Sequence, residues 1–580
     1  MRDLQWAKLN FLHTTDTHGW YGGHLQESQY SADWGDYISF AHHLRKQADE
    51  KGADLLLVDT GDRVEGNGLY DASTPKGEYT YDIYREQDID IICTGNHELY
   101  QTDTADREHE QTVPNFKNNY IASNLDYIDP KTGKQIPMAQ RYRKFKTKNQ
   151  GVEIVAFGFL FDFTGNANNT VVQPVEETIK EDWFKQAITE KPDLFVVIGH
   201  VGAQMEEFKT IFAAIRRQNW FTPIAFFGGH AHVRDATSYD AKSFVMASGR
   251  YFETIGWMSI DGIKPKAGKE DAAAASAAVT FNRRYIDNNI LGLYHHSGLN
   301  ETTFPTEHGR NVSRMITEAR KALDLDHKYG CAPQDYWMAR SEYPSDDNIF
   351  TLIQREILPG VIVSEERKGP RLAIMNTGAI RFDIFEGAFT RDTTYIISPF
   401  LSKMNYVPDV PYNIAKKVIK LLNSAGKIFE EPRLDMRYLA IPEQWARTES
   451  IVYSKSETTN NILLGDGSQK PLGDDSKRKP DLVGGYTTKD DIGTDGDDAI
   501  HSPLDFYLQP NCIQSEIDMP SDGDPETVDL VFTDFIQPWI TVALKFSGGD
   551  YSDNDVLLWK DAAFTDMMAD WIKENWKGNC

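Results

Sequence analysis

The 580-residue sequence contains no apolar run of the ~18 residues that a membrane span requires. It is short of basic charge. Lys and Arg number 61 against 87 Asp and Glu, a net charge of −26, which argues against a nucleic-acid backbone or an anionic membrane as the main partner. A small phosphorylated ligand needs only a local positive site and stays admissible. Cysteine is scarce: Cys93, Cys331, Cys512 and Cys580 have neither zinc-finger nor redox-pair spacing. Cys93 lies in an apolar run and reads as a buried thiol. The other three could form a bridge, but their pairing is not legible. The start, "MRDLQWAKLN", lacks a signal-peptide apolar region, yet a strand begins almost at once at Leu9, which leaves room for a longer natural precursor. The end, "WIKENWKGNC", is not a lipid-anchor tail.

What is present is a repeated pattern over the first 260 or so residues. Five short apolar runs each end in polar residues: "LNFLHTTDTH", "ADLLLVDTGD", "DIDIICTGNH", "DLFVVIGH" and "PIAFFGGHAH". Runs with little alternation read as strands buried on both faces. Helical stretches lie between them, such as Asp36 to Lys51 and Glu177 to Lys191. The fold class is therefore layered α/β, in which ligands bind beyond the carboxyl ends of the strands. "RNVSRMITEARKALDLD" has helical spacing and reads as the last helix of a first domain, residues 1–325. A second domain, 326–580, opens with a helix, "NIFTLIQREIL", expected to stop at Pro359-Gly360. Residues 466–498, rich in Gly, Asp and Lys, read as a long solvated insertion; "DIGTDGDD" does not match the EF-hand spacing. Asn168, Asn300 and Asn311 sit in glycosylation triplets, which a chain of this length holds by chance.

The strand-end residues are Asp16, His18, Asp62, Asn96, His200, His230 and His232. Singly, each has a structural explanation as a turn cap or a hydrogen-bonded histidine. Together they form an O/N donor set without cysteine, which suits a transition-metal site. Seven donors exceed one tetrahedral ion and fit two ions sharing a carboxylate. A water between such ions loses its proton near neutral pH and can attack a phosphate ester. His97 sits one residue beyond Asn96, placed to stabilise phosphoryl charge or protonate a leaving oxygen.

In this order, "DTH", "GD", "GNHE", "GH" and "GHAH" resemble the calcineurin-like metallophosphoesterases. The resemblance implies an N-terminal αββα domain. It implies that Asp16, His18, Asp62 and His232 hold one divalent ion, that Asp62, Asn96, His200 and His230 hold the other, and that Asp62 bridges, with His97 the catalytic histidine. Zinc is the expected ion, and Mn, Fe or Co also suit the donors. "MNTGAIRFDIFEGAFTRDTTYIISPF" and "FSGGDYSD" are similar to the C-terminal α+β domain of two-domain 5'-nucleotidases. There Asn376 and Arg381 would meet phosphate or nearby polar groups, Phe400 would stack on a base and Asp550 would accept from ribose hydroxyls. The resemblance covers nearly the whole chain apart from an insertion at about 454–529.

Three departures mark a divergent, fungal branch. The glycine-rich loop carries Thr377 and Ala379. Leu401-Ser402-Lys403 follows Pro-Phe. Tyr100 stands where the family's aspartate orients the catalytic histidine, so either the Tyr100 hydroxyl takes that role or a nearby acid, Asp103 or Glu98, does, the acid being the favoured arrangement. The implied activity is 5'-nucleotide hydrolysis to nucleoside and phosphate. Hydrolysis of another phosphate ester or a nucleotide-sugar diphosphate, or a metal-retaining binding protein, are the alternatives. The expected partner is a small phosphorylated molecule, with no nucleic acid and no membrane span; oligomeric state is not legible. Many relatives work outside the cytosol, which implies a secreted, cell-wall or vacuolar location.

Overall fold

The computed structural model describes residues 1–265, 278–424, 434, 436–444, 481–484 and 496–580. The chain divides into two compact units. The first comprises Met1–Glu65, Ser73–Ala322 and Gly484–Ser502, and the second Gly66–Ala72, Leu323–Val483 and Pro503–Cys580.

Two sheets packed face to face form the core of the first unit, beside a small sheet of Gln135–Pro137, Leu125–Ile128 and Thr170–Val172. One has five strands in the order Thr280–Asp287, Thr254–Asp261, Leu9–Thr14, Asp54–Asp59 and Ile91–Ile92. The other has six, in the order Arg234–Thr237, Ser243–Ser248, Ile224–Gly228, Leu194–His200, Glu153–Leu160 and Tyr142–Lys146. Every second residue of the central strands enters the shared core: Leu9 and Phe11, Leu56 and Val58, Val196 and Ile198, Ala225 and Phe227. The intervening residues meet helices on the outer faces. Phe226 packs on Phe208 of helix Glu206–Gln218, and Phe157 on Phe184 of helix Asp182–Ala187. Burial on both faces is why these strands read as continuous apolar runs.

Helix Trp34–Glu50 starts at a capping box between Asp33 and Asp36 and crosses helix Glu307–Ala322 at two glycines. A Cβ on Gly35 would lie 2.3 Å from the Gly309 carbonyl oxygen, so only glycine allows that approach. The segment expected as one helix from Glu177 is two, Val175–Thr178 and Asp182–Ala187.

Leu9–Thr14, Asp54–Asp59 and Ile91–Ile92 run parallel, as do Glu153–Leu160, Leu194–His200 and Ile224–Gly228. Parallel strands deliver their carboxyl ends to one edge of each sheet, and every strand-end motif lies at or just beyond such an end.

In the second unit a five-stranded sheet runs in the order Cys512–Ile517, Arg371–Asn376, Thr527–Thr533, Lys403–Pro411 and Leu557–Ala563. Helices Tyr412–Asn423 and Gln537–Phe546 cover one face through Ala415, Val418, Leu422, Trp539, Ile540 and Leu544. The helix beginning at Ile349 does not stop at Pro359. A wide turn at Ile353–Ile357 precedes a last turn, Leu358–Val361, and Pro359 stands at the start of that turn, where its missing N–H costs little. Cys331 is bonded to Cys580, and Cys93 and Cys512 are buried free thiols.

The reading of 466–498 as solvated fails at its end. Residues 466–480 and 485–495 lie outside the described residues, but Asp497 and Asp498 are buried in the first unit. Asp497 meets Arg234 at 2.8 Å and Asp498 meets His296 at 2.7 Å. These partners lie over 200 positions upstream and leave no local trace. Cys512–Ile517, inside the expected insertion, is a sheet strand.

Candidate metal centre and its family

Five of the seven predicted ligands occupy the left-handed backbone region: Asp16 (φ 50°), His18 (46°), Asp62 (55°), His230 (71°) and His232 (59°). Such residues cost roughly 1–3 kcal/mol each and persist where surrounding bonds over-determine them. Here the Asp16 N–H donates to the Gly61 carbonyl at 2.9 Å, the His18 N–H to the Asp62 carbonyl at 2.9 Å, and the Tyr251 N–H to the Asp16 carbonyl at 2.7 Å. The tight loops turn side chains from different strands towards one point.

Two donor groups result. Asp16, His18, Asp62 and His232 bring ligand atoms within 4.8 Å of one another, and so do Asp62, His200 and His230; Asp62 belongs to both. Asp62 Oδ2 lies 3.0 Å from His200 Nε2 and 3.6 Å from His18 Nε2, and His232 Nε2 is 3.4 Å from Asp16 Oδ1. His18 Nε2 and His232 Nε2 face each other at 3.1 Å, an arrangement that two lone pairs adopt around a cation. Asn96 Oδ1 is buried without a hydrogen-bond partner among the described residues, which suits a metal-facing carbonyl oxygen. The donor set and this orphaned oxygen fit divalent ions.

Backbone carbonyls orient the imidazoles. The Thr60 carbonyl lies 2.9 Å from His200 Nδ1, and the Glu65 carbonyl 2.6 Å from His18 Nδ1. With Nδ1–H donating there, Nε2 presents its lone pair inward. Burial raises the Asp16 carboxyl to about 7, despite His200 beside it. Burial also opposes ionisation of Asp62, but His200, His97 and His18 hold its carboxyl well below the ordinary value. His200 is buried as well, yet Asp62 and Asp16 push it up to about 9. His13 differs: burial lowers it to about 3, and it serves as a neutral strut between Ser248 and Thr60.

The "GNHE" motif divides its labour. A Cβ on Gly95 would lie 2.2 Å from Asp62 Oδ1, so glycine is required for the loop to approach that carboxylate. The His97 N–H donates to Asp62 Oδ1 at 2.8 Å. Glu98 accepts from the N–H groups of Asp62, Arg63 and Gly95 at 3.1, 2.6 and 2.7 Å, stapling the two loops together. The expectation that Asp103 or Glu98 orients His97 is not met. Asp103 is exposed on helix Thr102–Arg107, and Glu98 is engaged by backbone. Instead, Glu65 Oε2 lies 2.9 Å from His97 Nδ1. Burial opposes its ionisation, but the hydrogen bond and charge of His97 hold its carboxyl below the ordinary glutamate value. The Tyr100 hydroxyl accepts from Asn96 Nδ2 at 3.2 Å, and its ring meets His97 edge-on. Sequence reading missed Glu65; its only signal was a carboxylate three positions beyond Asp62.

Comparison with known proteins supplies the family. Residues 9–234 match the calcineurin-like phosphoesterase family, and residues 335–541 match the family described as NAD nucleotidase, C-terminal domain. A 5'-nucleotidase from Candida albicans is 34% identical, with a TM-score of 0.84 over 99% of each chain. A secreted protein of Arthroderma benhamiae is 37% identical over 99% of this chain and 91% of its own length.

The chain belongs to the calcineurin-like phosphoesterases, in the two-domain 5'-nucleotidase branch.

An uncharacterised protein of Schizosaccharomyces pombe is 36% identical to this phosphoesterase, over all of the chain and 93% of the relative. The phosphoesterase is a hydrolase of phosphoric ester bonds. In its second unit, the Arg381 guanidinium lies 4.9 Å from the centre of the half-buried Phe400 ring. Asn376 is buried at the end of its strand, where Oδ1 accepts from the Thr533 hydroxyl at 3.4 Å. Thr377 Oγ1 donates to the Pro510 carbonyl at 2.8 Å, so this side chain fastens the loop. Asp550 sits exposed in the turn after helix Gln537–Phe546. Of the four predicted substrate residues, the structure brings Arg381 and Phe400 into contact.

Proposed function

We propose that the phosphoesterase hydrolyses phosphate monoesters, with 5'-nucleotides as the main substrates, at a pair of divalent ions. Asp16, His18, Asp62 and His232 hold one ion and Asp62, Asn96, His200 and His230 the other. The observation that carries this reading is the membership of Asp62 in both donor groups. Ions held this way lower the pKa of water and neutralise phosphoryl oxygens, and zinc, manganese, iron or cobalt suits the donors. His97, with Nε2 3.9 Å from Asp62 Oδ2, gives a proton to the leaving alcohol oxygen. Arg381 and Phe400 meet the substrate, the guanidinium suiting phosphate oxygens and the ring suiting a base. Asn376 holds the adjoining loop, and Asp550 is the candidate acceptor for ribose hydroxyls.

A second reading, cleavage of a dinucleotide or nucleotide-sugar diphosphate, is favoured by the match of residues 335–541 to a domain named for NAD nucleotidase. The binding-protein reading rested on Tyr100 and loses that support, because Glu65 supplies the carboxylate. The disulfide Cys331–Cys580 and the secreted relative support work outside the cytosol. Among the described residues no helix is long and apolar enough to cross a membrane.

The test measures phosphate release from AMP, NAD, a nucleotide-sugar and a simple alkyl phosphate, after chelation and return of Zn²⁺ or Mn²⁺. Metal-dependent turnover greatest on AMP supports the first reading, and turnover greatest on the diphosphates replaces it with the second. Turnover greatest on the alkyl phosphate would remove the base-recognition role from the second unit.

A further inference from the structure

We infer that Glu65 is the positioning residue of the catalytic histidine, so that in this chain the orienting carboxylate comes from the loop of the shared aspartate and not from the loop of the histidine. The inference rests on the reading of His97 as the proton donor.

A carboxylate only accepts hydrogen bonds, so Glu65 Oε2 at 2.9 Å fixes the proton on His97 Nδ1. The other nitrogen, Nε2, then faces Asp62 and is the one that can carry and release a second proton. Glu65 is buried, so the pair is shielded from water and its charge attraction is strong. The same residue orients a second ring, because its backbone carbonyl faces His18 Nδ1 at 2.6 Å. Its φ of 59° is a strained conformation for a side-chain-bearing residue. One residue thus sets the tautomer of a metal-facing imidazole through its backbone and that of the proton donor through its side chain.

The neighbouring candidates for this role are engaged elsewhere. Glu98 accepts three backbone N–H groups, Tyr100 is bonded to Asn96, and Asp103 is exposed on the following helix.

The step balances as follows. The water oxygen bonds to phosphorus while the bond from phosphorus to the alcohol oxygen breaks, and that electron pair passes to the leaving oxygen. The leaving oxygen takes the proton from His97 Nε2, and the proton the water gives up replaces it. Glu65 stays ionised throughout and stabilises the imidazolium before transfer. Its importance therefore scales with how badly the leaving oxygen needs a proton.

That scaling is the test. Glu65→Gln keeps size and shape, Glu65→Ala leaves a space, and Asp103→Asn is the control. Each is assayed with AMP, whose leaving alcohol is poor, and with p-nitrophenyl phosphate, whose leaving phenol departs without help. Metal content and melting temperature are measured on the same samples. The expected result is a loss of kcat on AMP of ~10²–10³-fold for Glu65→Ala, smaller for Glu65→Gln, with less than ~10-fold on the aryl ester. Metal content and the KM for AMP stay near wild type, and added formate restores part of the lost rate in Glu65→Ala. Asp103→Asn is unchanged. Equal losses on the two esters, or loss of metal in Glu65→Gln, would make Glu65 a structural residue and overturn the inference. His97→Ala separates the two levels. If it loses rate on AMP selectively while the Glu65 variants do not, only the role of Glu65 falls. If it shows no loss with metals retained, the proton-donor reading of His97 falls first.

Discussion

The Arg234 guanidinium holds the carboxylate of Asp497 at 2.8 Å, with both side chains buried and 263 positions of sequence between them. The other arm of Arg234 reaches Asp287 at 2.7 Å, and Asp287 also meets His501. This network fixes residues 496–502, a late segment of the chain, into the first unit. Asp497→Ala leaves Arg234 paired with Asp287 but strands its other arm as a buried donor without a partner, so it should destabilise the first unit by ~1–3 kcal/mol. The exposed pair Arg367–Asp409 is the comparison, and Asp409→Ala should cost under ~1 kcal/mol. Urea unfolding of the two variants checks both values.

The same network carries a pH dependence. The hydrogen bond to Asp287 raises His501 above the ordinary value of 6.5, over the opposing effect of burial. A group with a raised folded pKa stabilises fully below its unfolded value, and the contribution is lost as pH rises through the folded one. Segment 496–502 should therefore be held most firmly at pH well below 6.5 and loosen as the pH rises above that value. Hydrogen exchange of that peptide, corrected for intrinsic rates, reads this directly. His501→Gln should flatten the profile.

Asp62→Asn should remove both ions together, because a neutral amide bridges two cations poorly. Elemental analysis of the purified variant should show both sites depleted. Near-complete occupancy by two ions would refute the shared-carboxylate assignment.

Phe400→Ala should raise the KM for AMP far more than that for an alkyl phosphate without a base. Base stacking on an aromatic side chain is worth ~1–3 kcal/mol, a factor of about 5 to 150. Equal changes for the two substrates would make Phe400 a packing residue held under Arg381.

By itself the sequence determined five of the first unit's strands, those at Leu9, Asp54, Ile91, Leu194 and Ile224, and the edge that carries the chemistry. A strand buried on both faces must be apolar throughout, so "LLLVD" and "FVVIGH" announce themselves, and parallel pairing then sends Asp62 and His200 to the same edge. The six strand-end candidates that the structure groups, Asp16, His18, Asp62, His200, His230 and His232, were legible for the same reason: each lies within a few residues of a local signal. Three things waited on the tertiary structure. His97 is oriented by Glu65 and not Asp103, in a loop whose backbone is left-handed at Asp62 and at Glu65, and loop conformation carries no periodicity. Asp497 and Asp498 are buried because Arg234 and His296 neutralise them from afar, where composition alone implied solvent. Cys331 pairs with Cys580 because the fold brings together residues 249 positions apart. Local patterns encode what each segment buries. Which distant segments meet depends on how the packed layers close, and that is a property of the whole chain.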